Sequence, residues 1–186
     1  MKSTMSKPLV LSLAPMSKGF GFVLFEAPLA PFDWGVREVR GALKNRRILK
    51  FVEGMIDRYA PIVLVLEDWT DDACRKSKRI MALYAALVEL ARKNCVQLVR
   101  VTKGSVRRCF MHVVPCNKYE IALAIGKAIP ALSYQIPPVR KIWMSEDPRQ
   151  SLYDAAALGL TYFATERSEF AVRESKLPVI KWDEAK

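Results

Sequence analysis

Leu9-Val10-Leu11-Ser12-Leu13-Ala14-Pro15-Met16-Ser17-Lys18-Gly19-Phe20-Gly21-Phe22 is the stretch that decides how this chain folds. Apolar residues run or alternate on both sides of Met16-Ser17-Lys18-Gly19, the pattern of two short antiparallel strands joined by a glycine-containing turn. The pair covers Pro8 to Glu26. A third strand is expected over Phe32 to Val39, with Trp34, Val36 and Glu38 on one face, so the chain opens as a β-meander.

Beyond the meander the hydrophobic period changes from two to 3.6. Ile48, Val52, Met55, Ile56 and Tyr59 form one stripe opposite Lys50, Glu53 and Asp57, which predicts a helix of about four turns. Ala60-Pro61 ends it. Ile62-Val63-Leu64-Val65-Leu66 is an unbroken apolar run, as in a strand buried on both faces, and Glu67-Asp68 sits at its C-terminal end. A second helix is expected from Asp71 to Asn94, with Ile80, Leu83, Tyr84, Leu87 and Ala91 as its core stripe. Met81, Ala85 and Val88 add a second apolar edge, which fits either a partner subunit or a wide core stripe.

Val96 to Val101 reads as another strand. Asn117 and Glu120 have the spacing of a capping box, opening a helix that runs through Ala128 and stops at Pro130. Pro130 to Met144 reads as a loop carrying Pro137-Pro138 and Arg140-Lys141. Ser145 is placed to cap a last helix, Glu146 to about Thr165, with Pro148 tolerated in its first turn. This order predicts an α/β fold with a mixed five-stranded sheet, three antiparallel strands then parallel ones, flanked by helices. Residues 1–7 read as a flexible leader, 8–167 as one domain and 168–186 as a C-terminal tail.

The chain has 186 residues, 51% of them hydrophobic, enough for one sizeable core. No apolar run reaches the ~20 residues of a membrane span, and no secretory signal is visible, so a cytoplasmic protein with no membrane partner is expected. A net charge of +11 points to nucleic acid. The basic residues fall in groups, Lys44-Asn45-Arg46-Arg47, Arg75-Lys76-Ser77-Lys78-Arg79 and Arg107-Arg108, with no lipid-inserting aromatic face beside them. Cys74, Cys95, Cys109 and Cys116 form no C-x-x-C pair. The run from Cys109 through His112 to Cys116 is a weak match to a zinc site, and free thiols are the expectation.

In open α/β sheets ligands sit at the C-terminal ends of the strands, where both Ala14 and Glu67 stand. Phosphodiester cleavage by two divalent cations, about 4 Å apart, needs carboxylates converging from separate elements. Glu67 is one candidate. Asp154 on the last helix is another, with Asp147 and Ser151 expected on the same face. Ala155-Ala156-Ala157 after it lets that helix approach the sheet closely. Each acid has a second reading: Glu67 as a surface acid clear of the core, Asp154 as part of a wet helix face.

These residues, in this order, resemble the RuvC-type Holliday junction resolvases of the ribonuclease H-like superfamily. Ala14 to Phe22 is similar to the family's Asp-Pro-Gly-Ser-Arg strand-turn and the Gly-aromatic-Gly after it. Leu64-Val65-Leu66-Glu67 resembles its second acidic strand, and Asp154-Ala155-Ala156-Ala157-Leu158-Gly159-Leu160-Thr161 its terminal helix. The resemblance spans roughly residues 8–165 and implies a homodimer, here through helix 71–94, that binds four-way or branched DNA and cuts it with Mg²⁺ or Mn²⁺.

Carried over residue by residue, Glu67 and Asp154 match the second and last metal-binding acids. Ser151 stands where a third acid is usual, with Asp147 or Glu146 as its substitute. Lys103 and Lys118 resemble basic residues near the scissile phosphate, Lys118 in a catalytic role. Lys18, Arg75, Arg79 and Arg107 complete the DNA-binding set the resemblance implies. Ala14, however, stands where the family has its first-strand aspartate. Three outcomes follow: a nuclease impaired at Ala14, a catalytically dead junction-binding relative, or a ribonuclease-related or protein-interaction domain on the same fold.

Overall fold

The computed structural model describes residues 8–70, 76–113, 115–141 and 143–173, with side chains through Glu166. The expected leader, residues 1–7, and the part of the expected tail beyond Arg173 lie outside the described residues. Strands β1 (Val10–Met16), β2 (Gly19–Ala27) and β3 (Ala30–Glu38) come first, then α1 (Lys44–Tyr59), β4 (Val63–Glu67), α2 (Lys78–Lys93) and β5 (Gln97–Val101). Helices α3 (Lys103–Cys109) and α4 (Lys118–Ala128), a 3₁₀ turn over Pro130–Gln135 and the long α5 (Gln150–Arg173) complete the order.

The five strands form one sheet in the order β3-β2-β1-β4-β5. β1 pairs antiparallel with β2, and β2 with β3, while β1–β4 and β4–β5 are parallel. The expected mixed five-stranded α/β sheet is therefore present. No helix among the described residues is long and apolar enough to cross a membrane.

Alternation along the central strands sorts side chains into two cores. Leu11, Leu13, Leu64 and Leu66 pack with Ile48, Val52, Leu83 and Leu87 of α1 and α2. Val10, Ala14, Val63 and Val65 turn the other way, toward Leu152, Ala155, Ala156 and Leu158 of α5 and Ala122 and Ile125 of α4. A strand with helices on both faces has no wet side, which is why β4 carries no polar alternation. Helix α5, lying between the sheet and α4, is buried on most of its circumference from Gln150 to Thr161.

Two glycines let α5 lie close to the sheet. Gly21, paired with Ala14, faces the first turn of α5, and a Cβ there would stand 2.2 Å from the carbonyl carbon of Ser151. A Cβ on Gly159 would stand 2.5 Å from the Phe25 ring. No side chain fits at Gly21 without moving backbone.

Several boundaries differ from expectation, each for a local reason. Helix α2 begins at Lys78, after Ser77, whose hydroxyl accepts from the Ile80 amide; Asp71 and Asp72 lie outside the described residues. The last helix begins at Gln150 rather than Glu146 and runs to Arg173 rather than about Thr165. Asp147, not Ser145, organises its start: the Arg149 amide donates to Asp147 Oδ1 at 2.9 Å, while the Gln150 amide donates to the Asp147 carbonyl. Pro148, with no N–H to satisfy, sits in that tight turn. The third strand runs from Ala30 to Glu38, and the expected loop after Pro130 opens with a 3₁₀ turn. Helix α3, capped by Thr102 on the Ser105 amide, went unforeseen because seven residues carry too little periodicity.

Other features hold. Ala60 ends α1 in the left-handed region with φ of 45°, its N–H donating to Ile56. Asn117 caps α4, accepting from the Glu120 amide at 3.0 Å. On α2, Val88 packs against the core, whereas Met81 and Ala85 are exposed.

Candidate nucleic-acid interface

The parallel register between β1 and β4 brings the two strand ends together. Leu13 pairs with Leu66, so Ala14 and Glu67 are the next residues on neighbouring strands. Ala14 packs with the α5 core, and Glu67 follows the alternation of Val63 and Val65 onto that same face. Helix α5 crosses this face, bringing Asp154 and Ser151. Helix α4 brings Lys118 from the side. The result is a cleft of about 820 Å³ whose lining includes Ala14, Glu67, Lys103, Lys118, Ser151 and Asp154.

Each acid in this cleft faces a cation from its own protein. Glu67 accepts a hydrogen bond from Lys76 Nζ, and both side chains are largely buried, 16% and 19% exposed. Lys103 Nζ lies 3.7 Å from the other Glu67 oxygen. Lys118 Nζ donates to Asp154 Oδ2 at 2.9 Å and to Glu146 Oε1 at 2.6 Å. Gln150 Nε2 donates to Asp154 Oδ1 at 3.1 Å and to the Lys118 carbonyl at 3.4 Å. Asp147 accepts from the guanidinium of Arg149, through Nε at 3.0 Å and Nη2 at 2.9 Å.

The protonation tendencies follow from these contacts. Burial pushes the Asp154 carboxyl above the usual range, and its hydrogen bonds and the Lys118 charge offset only part of that. About a third of the Asp154 side chain still meets the cleft, so the group is crowded by protein rather than sealed. For Lys118 burial pulls downward, yet the charge of Asp154 and the bonds to Glu146 and Asp154 prevail and hold the ammonium above its ordinary value. The Arg149 side chain holds Asp147 below the usual carboxylate range.

Of the residues expected to act at the site, Glu67, Asp147, Asp154 and Lys118 all line this one cleft, as do Lys18, Lys103 and Arg107. Asp147 reaches it from the loop before α5 rather than from the helix face. Arg79 is engaged elsewhere: its guanidinium donates to the Met16 and Ser17 carbonyls at 3.3 and 3.0 Å and to Asn45 Oδ1 at 2.7 Å, clasping the β1–β2 turn. Arg75 lies outside the described residues. Lys76, the partner of Glu67, was not singled out from its basic run, because its pairing depends on how the chain returns after β4.

A pair of divalent cations fits these residues poorly. Ala14 offers no oxygen where a central ligand is needed, and Ser12, two residues back, is buried with its hydroxyl donating to the Val23 carbonyl at 3.1 Å. The remaining acids already face ammonium or guanidinium groups. Among the described residues no three His, Cys, Asp or Glu side chains come together as a metal set. Cys95, Cys109 and Cys116 are free thiols, and Cys74 lies outside the described residues.

No family model matches the sequence, and no curated protein matches it. Solved structures match it in shape. One is T. thermophilus RuvC in complex with a Holliday junction substrate, with a TM-score of 0.62 and 16% identity over 87% of this chain and 96% of that one. Another is the Thermus thermophilus RuvC structure, with a TM-score of 0.58 and 16% identity over 86% of this chain and 96% of that one. Sheet order, helix placement and these likenesses agree, and the chain has the RuvC-like, ribonuclease H-like fold.

Proposed function

We propose that this protein binds branched DNA, four-way junctions included, through the Ala14–Glu67–Asp154 cleft, and that its metal-dependent hydrolysis is lost or severely impaired. The observation that carries the reading is the charge of the cleft: among the described residues five lining cations, Lys18, Lys76, Lys103, Arg107 and Lys118, outnumber four carboxylates. An acid-rich metal centre repels phosphate until cations arrive. This cleft already carries its own.

The fold likeness to a RuvC solved with a Holliday junction supports the choice of DNA structure. The resemblance in the β1 turn, the β4 acid and the α5 helix supports the same choice. In this reading the basic side chains contact phosphates and release counterions, while Ser17 and Lys18 present the β1–β2 turn to the backbone. Losing a central carboxylate removes charge stabilisation worth several kcal/mol, about a thousandfold or more in rate. Mg²⁺ or Mn²⁺ hydrolysis is therefore absent or residual. The reading treats residues 8–167 as the DNA-binding domain and includes a homodimer through α2, whose exposed Met81 and Ala85 offer an apolar edge.

The test compares a four-way junction with a linear duplex of equal length, in binding and in cleavage. Tighter junction binding, a steep loss of affinity with salt and no cutting with Mg²⁺ or Mn²⁺ are expected. Equal affinity for both DNAs, or a flat salt response, overturns the reading. A monomeric mass at micromolar concentration, with and without DNA, removes the homodimer alone.

A further inference from the structure

We infer that Lys76 and Lys118 are protein-borne counter-ions, fixed where divalent cations would otherwise be required, and that Lys118 offers its remaining N–H donor to a DNA phosphate. The inference rests on the branched-DNA reading above for the identity of the phosphate. It rests on geometry for everything else.

Three observations converge. First, the two lysines come from separate elements, Lys76 from the segment leading into α2 and Lys118 from the first turn of α4, yet each meets a different acid of the cleft. Surface ion pairs are usually loose and contribute little. The Lys76–Glu67 pair differs, because both side chains are more than four-fifths buried and their positions are held by packing.

Second, the strand end beside Glu67 carries no acid at Ala14, while Lys76 and Lys103 both stand against Glu67, so its carboxylate already meets univalent cations from this chain. Restoring the aspartate alone leaves Lys76 and Lys118 in the way of a metal.

Third, donors remain for a ligand. An ammonium carries three N–H donors, and Lys118 uses two, on Glu146 and Asp154, while keeping 57% of its side chain exposed at the cleft. Lys103, 46% exposed, stands beside Glu67 at longer range and can approach the same phosphate. A phosphodiester oxygen is the ligand such a set of donors recognises.

Mn²⁺ binding to the DNA-free protein, followed by electron paramagnetic resonance, tests this directly. The wild type and Ala14→Asp are expected to bind no Mn²⁺ that Glu67→Gln or Asp154→Asn abolishes. Ala14→Asp combined with Lys76→Gln and Lys118→Gln is expected to gain such an ion. Carboxylate-dependent Mn²⁺ binding by the wild type or by Ala14→Asp overturns the inference, as does a folded triple variant that gains none.

Because the triple variant carries several changes in one cleft, junction binding supplies an independent decision. Lys118→Gln is expected to weaken four-way-junction binding by about tenfold, and unchanged affinity overturns the phosphate role. Failure of the branched-DNA reading looks different. Then the wild type itself shows no preference for the junction, while the Mn²⁺ results stand.

Discussion

Lys118 Nζ lies 2.9 Å from Asp154 Oδ2 and donates to it across the junction of α4 and α5, the two helices that close one wall of the cleft. The same nitrogen reaches Glu146, so a single ammonium ties the loop before α5, the body of α5 and the start of α4. That bond joins the electrostatics of the site to the packing of the fold. Its loss should be felt in both.

Lys118→Met keeps the aliphatic stem and deletes the charge, leaving Asp154 crowded by protein without its cation. Burial already raises the Asp154 carboxyl, and removing Lys118 raises it further. A carboxyl raised in the folded state opposes folding while ionised, and that opposition fades as pH falls through its folded pKa. The loss of Tm relative to wild type should therefore be largest near neutral pH and shrink on acidification. A loss independent of pH would assign Lys118 a packing role only. In the wild type, Lys118 is raised, so its own contribution is complete below its ordinary pKa and disappears as pH rises through the folded value.

Gly21→Ala tests the seating of α5 on the sheet. The added methyl would stand 2.2 Å from the Ser151 backbone, so strand or helix must move, at a cost of about 1–3 kcal/mol or more. Thermal unfolding should show a fall of about 2–4 °C per kcal/mol for a chain of this size. Because Ser151 and Asp154 move with the helix, junction affinity should fall as well. An unchanged melting temperature would show that α5 does not pack as closely as described.

Arg107 lines the cleft from α3 and, among the described residues, makes no ion pair. Arg107→Ala should weaken binding about equally across DNA sequences and lower the slope of log affinity against log salt by about one. Stability should barely change, since Arg107 is exposed and its guanidinium makes no ion pair among the described residues. A sequence-dependent loss, or an unaltered slope, would remove Arg107 from the phosphate-binding set.

Tyr153, one residue before Asp154 and turned into the core, donates its hydroxyl to the Leu132 carbonyl at 2.6 Å. Burial pushes its phenol up to about 12. The unfolded chain ionises this phenol near its ordinary value of 10.0 while the folded protein resists, so stability falls as pH climbs above that point. Ultraviolet difference spectra should show Tyr153 among the late-titrating tyrosines, since the phenols of Tyr59 and Tyr162 are raised too. Tyr153→Phe should reduce the amplitude of the late transition by one tyrosine and cost about 0.5–1.5 kcal/mol, the net value of one hydrogen bond.

Much of the architecture is legible along the chain because it is written in local periods. The alternation around Ala14 to Phe22 and the solid apolar run of β4 follow from which faces are buried, and burial repeats every second residue in a strand. The stripes of α1 and α2 repeat every 3.6 residues for the same reason. Boundaries set by single hydrogen bonds were less visible: Asp147 and Ser145 are both competent caps, and only Pro148 and the Arg149 contacts choose between them.

The sequence by itself determined that the strand ends carry Ala14 and Glu67, that an alanine-rich helix carries Asp154, and that a strongly basic chain surrounds them. Tertiary structure alone decided what those acids meet. Lys76 is nine residues from Glu67 and Lys118 is 36 from Asp154, separations that no helical or strand period spans. Periodicity reports which side of an element is buried, whereas an ion pair depends on where two elements cross, and the crossing is set by packing that the whole chain shares.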